Sequence, residues 1–413
     1  MVFNVVEDVL LAIFAEVAGH ELTQWPSATW DPALAQAPFH LSAVCQSWRT
    51  LSRNTPMLWS YFGFPSDPLQ YPQHSTRVEV LLEASKSTPV DVIIALGRSN
   101  AHQCANIVKV VAAIASRWRN VRLRLTDELA AHLQQATQTD MQHLVSLTVA
   151  FDWYWNYLPL TAPNLARLYV ECEPTENSEL ATRQYPSLSS LAIISDMELD
   201  FTFARCREHA TSITDLCILD LMFSRPTTTL ALPSLLSLTL EDCDLLPYIH
   251  AVNLNHLWLN VSNEIPVDLD ARQFAAVSKL TLYGEIEAAT ANALQVFAGI
   301  KSLSFCLNEA VCFYHSRSPG YITITSDFFP SLQAQPGHWI WPALERIHFG
   351  RFSDDSIPGL NAEDLIQFVE ARNAKSDEGS HAAARILEVQ IDQYPVDCPP
   401  KAFRKLSQLV SLS

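Results

Sequence analysis

Glycine is scarce. The 413-residue chain holds ten, and no two lie within five residues of each other. A Walker-type phosphate loop, a dinucleotide fingerprint and a nucleophile elbow all need closer glycines, because only glycine lets backbone N–H groups approach a phosphate or an oxyanion. All three are excluded. Cysteine is low and odd in number: nine residues, at positions 45, 104, 172, 206, 217, 243, 306, 312 and 398, with no pair at C-x-x-C spacing. That argues against a zinc ribbon, a thioredoxin-type motif and the disulfide framework of a secreted protein. The 13 histidines include no H-E-x-x-H.

Charge is also sparse. Charged residues make up 17% of the chain, against about 25% in an average globular protein. Acids exceed bases, for a net charge of −17, so neither a phosphate backbone nor an anionic membrane surface is an expected partner. No apolar run reaches the ~18 residues of a membrane-spanning helix. The opening MVFNVVEDVLL carries acids where a signal peptide carries bases. An intracellular protein, cytoplasmic and/or nuclear, is the expectation.

What is abundant is apolar surface, 48% of residues. At this length it suggests several modules or a repeat array. Near the front, Val6, Val9, Leu10, Ile13, Phe14 and Val17 fall on one face of an amphipathic helix. Residues 20–40, with three prolines and no sustained period, read as a loop or insertion. Leu41, Val44, Cys45, Trp48 and Leu51 form a second helical face, and Thr55-Pro56 suits the cap and first position of a third helix.

This front segment resembles the F-box. The resemblance rests on Val44-Cys45-x-x-Trp48-Arg49 followed by Thr55-Pro56-x-Leu58-Trp59, in the form found in mushroom-forming fungi. The family's usual Leu-Pro at the start of its first helix is Val5-Val6 here. The resemblance implies docking of a Skp-type adaptor and, through it, a cullin, by way of Leu10, Ile13, Phe14, Leu41, Val44, Trp48, Pro56, Leu58 and Trp59.

Downstream, the pattern apolar-x-x-apolar-x-apolar recurs. It starts at Leu144, Leu165, Leu188, Ile213, Leu235, Leu254, Val277 and Ile300, with further copies at Trp118, Leu344 and Ile386. Proline lead-ins (APNL, YPSL, LPSL, WPAL) precede several copies. Each unit reads as one short strand that cannot bury its leucines alone, with a return segment, often helical, behind it. The 44- and 42-residue gaps after Ile300 and Leu344 leave room for either a hidden repeat or an inserted loop.

The array resembles an irregular leucine-rich repeat horseshoe, with Cys243 and Asn308 at the family's Asn/Cys ladder position. The expected fold is therefore α/β. A helical F-box-like module (1–62) leads through a lead-in (63–117) to a β/α leucine-rich repeat solenoid with a parallel sheet (118–413).

Strand alternation turns Arg167, Tyr169, His256, Trp258, Lys279, Arg346, His348 and Glu388 to the open face, as candidates for binding a protein substrate. Trp258 is the expected hot spot unless a loop covers it. EDCD at 241–244 is either a metal cluster or, more simply, a solvated turn. The aromatic run at 151–157 is either a rim loop or core filling. Histidines 256, 315, 338 and 348 would have to converge to make a triad, and no motif supports that. No catalytic residue, metal or cofactor is expected. Two functions remain: substrate receptor of a Skp–cullin–F-box ubiquitin ligase, or an adaptor-independent protein-binding repeat scaffold.

Overall fold

The computed structural model describes residues 2–17, 32–64, 74–95, 101–133, 138–151, 161–171, 185–194, 199–219, 226–241, 243–261, 269–306, 322–335, 338–350, 362–377, 383–392 and 400–412. They pack as two compact units, Met1–Asp196 and Met197–Ser413.

The first unit opens with three helices, α1 (Val2–Val17), α2 (Pro32–Val44) and α3 (Gln46–Arg53), then a 3-10 turn over Pro56–Trp59. Part of the segment expected as a loop is helix: α2 starts at Pro32 and carries Pro38 inside it. A proline removes one backbone donor, and here tertiary contacts outweigh that loss. Ala35 packs on Tyr61 and Ile93 with Leu34 beside it. The Arg77 guanidinium donates to the Ala35 carbonyl and lies 5.4 Å from the Phe39 ring centre. The helical face expected as continuous through residue 53 is broken at Cys45. That residue is extended (φ −156°) and caps α3, its Sγ accepting from the Trp48 N–H.

The F-box-like motif residues thus do architectural work. Trp48 meets the buried Phe14 ring at 4.9 Å, and Arg49 Nε donates to the Ser42 carbonyl at 3.0 Å. Trp59 Nε1 donates to the Ser52 carbonyl at 2.8 Å. Pro56 takes the first position of its turn as expected, but the Thr55 side chain makes no cap and donates back to Leu51 O instead.

A parallel sheet follows in chain order: β1 (Tyr61–Phe64), β2 (Val90–Ala95), β3 (Trp118–Leu125), β4 (Ser146–Phe151), β5 (Arg167–Glu171) and β6 (Ser190–Ile194). Parallel neighbours need a return crossover. Helices α4 (His74–Ser85) and α5 (Ala101–Ala113) supply the first two, and a short α6 (Asp127–Ala130) follows β3. The strand ladder thus begins N-terminal of the first recognisable repeat at Trp118. At its start, Asp91 is buried and accepts from Arg119 Nε at 2.9 Å, from Asn120 Nδ2 at 2.8 Å and from the Asn120 N–H.

The second unit repeats the design. Its parallel ladder runs β7 (Asp215–Leu219), β9 (Ser237–Leu240), β11 (His256–Asn260), β12 (Lys279–Ile286), β13 (Ser302–Phe305), β17 (Arg346–Phe349), β18 (Glu388–Ile391) and β19 (Ser411–Leu412). Around it lie the small parallel pair β8 (Leu230–Ala231) and β10 (Ile249–His250), and the antiparallel hairpin β15 (Gln333–Gln335) and β16 (His338–Trp339). Its helices are α7 (Leu199–Glu208), α8 (Ala288–Ala293), α9 (Phe328–Ser331), α10 (Ala362–Asp377) and α11 (Pro400–Leu409).

The two long gaps are insertions. β13 pairs directly with β17, and β17 with β18, so no repeat strand is hidden between them. Among the described residues of the first insertion, β14 (Ile322–Ile324) returns onto the far end of β12. That pairing starts at Gly284, whose φ of 96° only glycine adopts without strain.

Register explains the repeat pattern. Leu216, Leu238, Leu257, Leu280 and Leu303 fall in one column of the second unit, and Leu147, Leu168 and Leu191 in one column of the first, all buried. The leading apolar residue of most copies closes a tight turn: Leu165 N–H to Ala162 O, Leu188 to Tyr185, Leu235 to Leu232, Leu254 to Ala251. In many copies one carbonyl then takes two N–H groups from the next, as Leu236 O does from Asn255 and His256.

A side-chain ladder runs beside these turns. Asn164 donates to Gln142 O at 2.6 Å, Ser187 to Pro163 O at 2.7 Å, Ser234 to Thr211 O at 2.8 Å and Asn253 to Pro233 O at 2.7 Å. Each donor directly precedes a leading leucine. Of the ladder expected from Cys243 and Asn308, Cys243 lies in a 3-10 turn and Asn308 outside the described residues.

Candidate functional site

Strand alternation puts every second side chain of the β9–β18 ladder on the face away from the leucines. In register, one row reads Ser237, His256, Lys279, Ser302, Arg346 and Glu388, and the next Thr239, Trp258, Thr281, Ser304, His348 and Gln390. The second unit therefore brings together six of the eight substrate candidates. Lys279 and Arg346 are exposed, and His256, Trp258, His348 and Glu388 are half-buried.

Arg167 and Tyr169 lie on the corresponding face of the first unit. Arg167 is half-buried, but Tyr169 is fully buried, which corrects its expected role as an outward contact.

Trp258 sits in a fixed chain of hydrogen bonds. Its Nε1 donates to His256 Nδ1 at 3.2 Å, and His256 Nε2 lies 2.9 Å from Thr281 Oγ1. An indole N–H only donates, so Nδ1 is the acceptor and a neutral ring carries its proton on Nε2, donated to Thr281. The rings are 5.0 Å apart. Burial, helped by the nearby Lys279 ammonium, holds the His256 pKa down from its ordinary 6.5 to about 4. Between those values the unfolded chain binds a proton that the folded chain does not. Stability contributed here is therefore full above pH 6.5 and falls as pH drops toward 4. A His256→Gln variant is expected to lose that part of the pH dependence, read as a flatter profile of unfolding midpoint over this range. An unchanged profile would rule it out.

The remaining polar pairs are weaker. His348 Nε2 lies 3.0 Å from Asp392 Oδ2, which Gln390 also supports through Oδ1. Arg346 and Glu388 approach only to 3.9 Å with side chains 63% and 37% exposed, a geometry worth little in water.

Among the described residues the candidate histidines do not converge. His256 on β11 and His348 on β17 are separated by β12 and β13, about 14 Å at normal strand spacing. His338 is on β16, and His315 lies outside the described residues. The Cys217 thiol, beside Thr239, is pushed up to about 12, chiefly by burial, as is Cys206, so neither is a thiolate nucleophile near neutral pH. Among the described residues no group of three His, Cys, Asp or Glu is placed to hold a metal ion, and no helix is long and apolar enough to cross a membrane. Asp242 of the EDCD segment and residues 152–157 of the aromatic run lie outside the described residues.

The front module presents a second candidate surface. Of the nine expected adaptor contacts, Phe14, Leu41, Leu58 and Trp59 are buried in the module's own packing, a correction to their outward role. Leu10, Trp48 and Pro56 are half-buried, while Ile13 and Val44 are exposed. Val9 and Val17, read from the sequence on the same face as the buried Phe14, are instead 54% and 48% exposed, with Ile13 at 47%. The 4-residue spacing stacks all three on one outer stripe of α1.

No protein-family model matches the chain, and no curated protein matches it. The crystal structure of the leucine-rich repeat-containing protein LegL7 from Legionella pneumophila is similar over 76% of this chain and 97% of that one, at 15% identity and a TM-score of 0.34. The repeat reading here rests on strand register and repeated turns.

Proposed function

We propose that this chain is the substrate receptor of a Skp–cullin–F-box ubiquitin-protein ligase. Its front helices dock a Skp-type adaptor, and through it a cullin. The open face of the β9–β18 ladder holds a protein substrate around Trp258. Ubiquitin transfer belongs to other subunits of such a ligase, so the chain itself supplies binding and no chemistry.

One observation carries adaptor docking. Helix α1 is apolar on two sides: Phe14 faces inward and is fully buried, while Val9, Ile13 and Val17 face outward. A helix that only seals its own core shows one apolar stripe. A second, solvent-facing stripe marks a surface that a partner covers. The F-box resemblance of the residues that build α3 and the following turn supplies the identity of that partner.

The test is co-purification of the full chain with a Skp protein from its own organism. The triple variant Val9→Asp, Ile13→Asp, Val17→Asp places charges on exposed positions and leaves the fold intact. It is expected to weaken adaptor binding more than about tenfold, while Trp258→Ala leaves it unchanged. A wild-type chain that binds no Skp protein defeats the proposal. The second reading, an adaptor-independent scaffold, draws support from the burial of Phe14, Leu41, Leu58 and Trp59, which leaves fewer outward apolar groups than the resemblance implies.

A further inference from the structure

On the first unit's sheet, the face away from the leucines carries a polar patch. In register, β3 contributes Asn120 and Arg122, β4 contributes Ser146 and Thr148, and β5 contributes Arg167 and Tyr169. Ser146 and Thr148 are the centre. Each is 1% exposed, and neither Ser146 Oγ nor Thr148 Oγ1 has a hydrogen-bond partner. Buried hydroxyls in folded proteins are almost always satisfied, so two orphans two residues apart on one strand point to a missing partner.

The surroundings say what kind. Arg122 stands directly opposite Thr148, and Arg167 directly opposite Ser146. Both arginines and Tyr169 make further interactions, whereas Ser146 Oγ and Thr148 Oγ1 have no hydrogen-bond partner. Asp91, one strand beyond Asn120, is bonded to Arg119 and Asn120. The described patch is thus rich in donors: two guanidiniums, an amide and two hydroxyls. Residues two apart on a strand are about 7 Å apart. A tetrahedral oxyanion with a hydrogen bond of about 2.8 Å at each end spans that distance, and charge-assisted bonds from arginine suit it.

We infer that Ser146 and Thr148, flanked by Arg122 and Arg167, form a buried site for a phosphate-type oxyanion, either inorganic phosphate or the phosphoryl group of a small molecule. The site is independent of adaptor docking and of substrate capture on the other unit, so its failure leaves the proposed function standing.

The experiment follows thermal unfolding of the full chain during titration with sodium phosphate, against sodium chloride at matched ionic strength and pH. A parallel titration uses glycerol 3-phosphate. A ligand that binds only the folded state raises the midpoint with its concentration. A saturable rise is expected with at least one phosphate compound, and the one with the lower half-saturation identifies the source. The double variant Ser146→Ala, Thr148→Val, which removes only the two hydroxyls, should abolish the rise. Should it fail to fold, Arg122→Gln is the substitute, with half-saturation raised about tenfold or more through loss of a charged hydrogen bond. No saturable rise in the wild type, or an undiminished one in the variants, overturns the inference. So does a crystal grown in phosphate that shows only water at the two hydroxyls.

Discussion

Arg372→Met is expected to destabilise the second unit by about 4 kcal/mol or more, read as a lowered midpoint in urea. Arg372 is 1% exposed on α10. Its Nη2 donates to the carbonyls of Trp341 (2.8 Å), Pro342 (3.0 Å) and Leu344 (3.0 Å), and its Nε to that of Ala384 (2.8 Å). These carbonyls lie at the corner before β17 and in the segment leading to β18, where backbone groups lack helix or strand partners. The guanidinium also lies 5.2 Å from the centre of the Trp339 ring. Burial pushes its pKa down to about 10, well above neutral pH, so the charge is kept in spite of its desolvation. Methionine matches much of the stem but removes a charged donor, worth about 1.5–3 kcal/mol per hydrogen bond, from four carbonyls, of which those of Trp341 and Pro342 keep the Leu344 and Ala384 N–H groups. Neighbouring Asn373, bonded to both the N–H and the carbonyl of Ile386, cannot reach them. A loss under about 1 kcal/mol would show that water replaces the guanidinium at this corner and that α10 is not the clamp described here.

Leu238→Ala is expected to cost about 2–5 kcal/mol, toward the upper end. The side chain is fully buried in the leucine column, between Leu216 on β7 and Leu257 on β11. The size of a cavity penalty depends on how far the walls can collapse. These walls are held by strand hydrogen bonds on both sides and by the turns at Leu235 and Leu254, so they move little. Leu238→Met keeps the volume and should cost less than about 1.5 kcal/mol. Equal losses for the two variants would mean that side-chain shape at this position, and not the removed volume, governs the effect.

The repeat array was legible because its chemistry is periodic. A leucine three residues, then five residues, beyond another apolar residue is what a short strand with a tight turn before it requires, and each such triplet found its place. Proline lead-ins were visible too, but their meaning was not. The residue that follows the proline in APNL, YPSL and LPSL, and the asparagine of AVNL, carries the hydrogen bond from copy to copy. The signal was present as a recurring Asn or Ser just before the leading leucine. It stands before the strand, whereas Cys243 and Asn308 stand after one.

The F-box-like residues were visible as a motif. Their burial was not, because Phe14 and Ile13 are adjacent and equally apolar in sequence, and only docking against Trp48 decides which one turns inward.

The sequence by itself determined the strand of each repeat copy, the inward leucine columns, the acidic character and the absence of glycine-built catalytic loops. These depend on local spacing and on composition, which a chain carries before it folds. Tertiary structure alone decided the rest. It made a helix of the proline-bearing segment before Val44, buried Tyr169 and exposed the Val9–Ile13–Val17 stripe. It also joined Trp258 to His256 and Thr281, and set Arg372 against four carbonyls. Each of those outcomes depends on which distant group arrives alongside, and burial and hydrogen bonding between distant groups leave no periodic trace in the residues that make them.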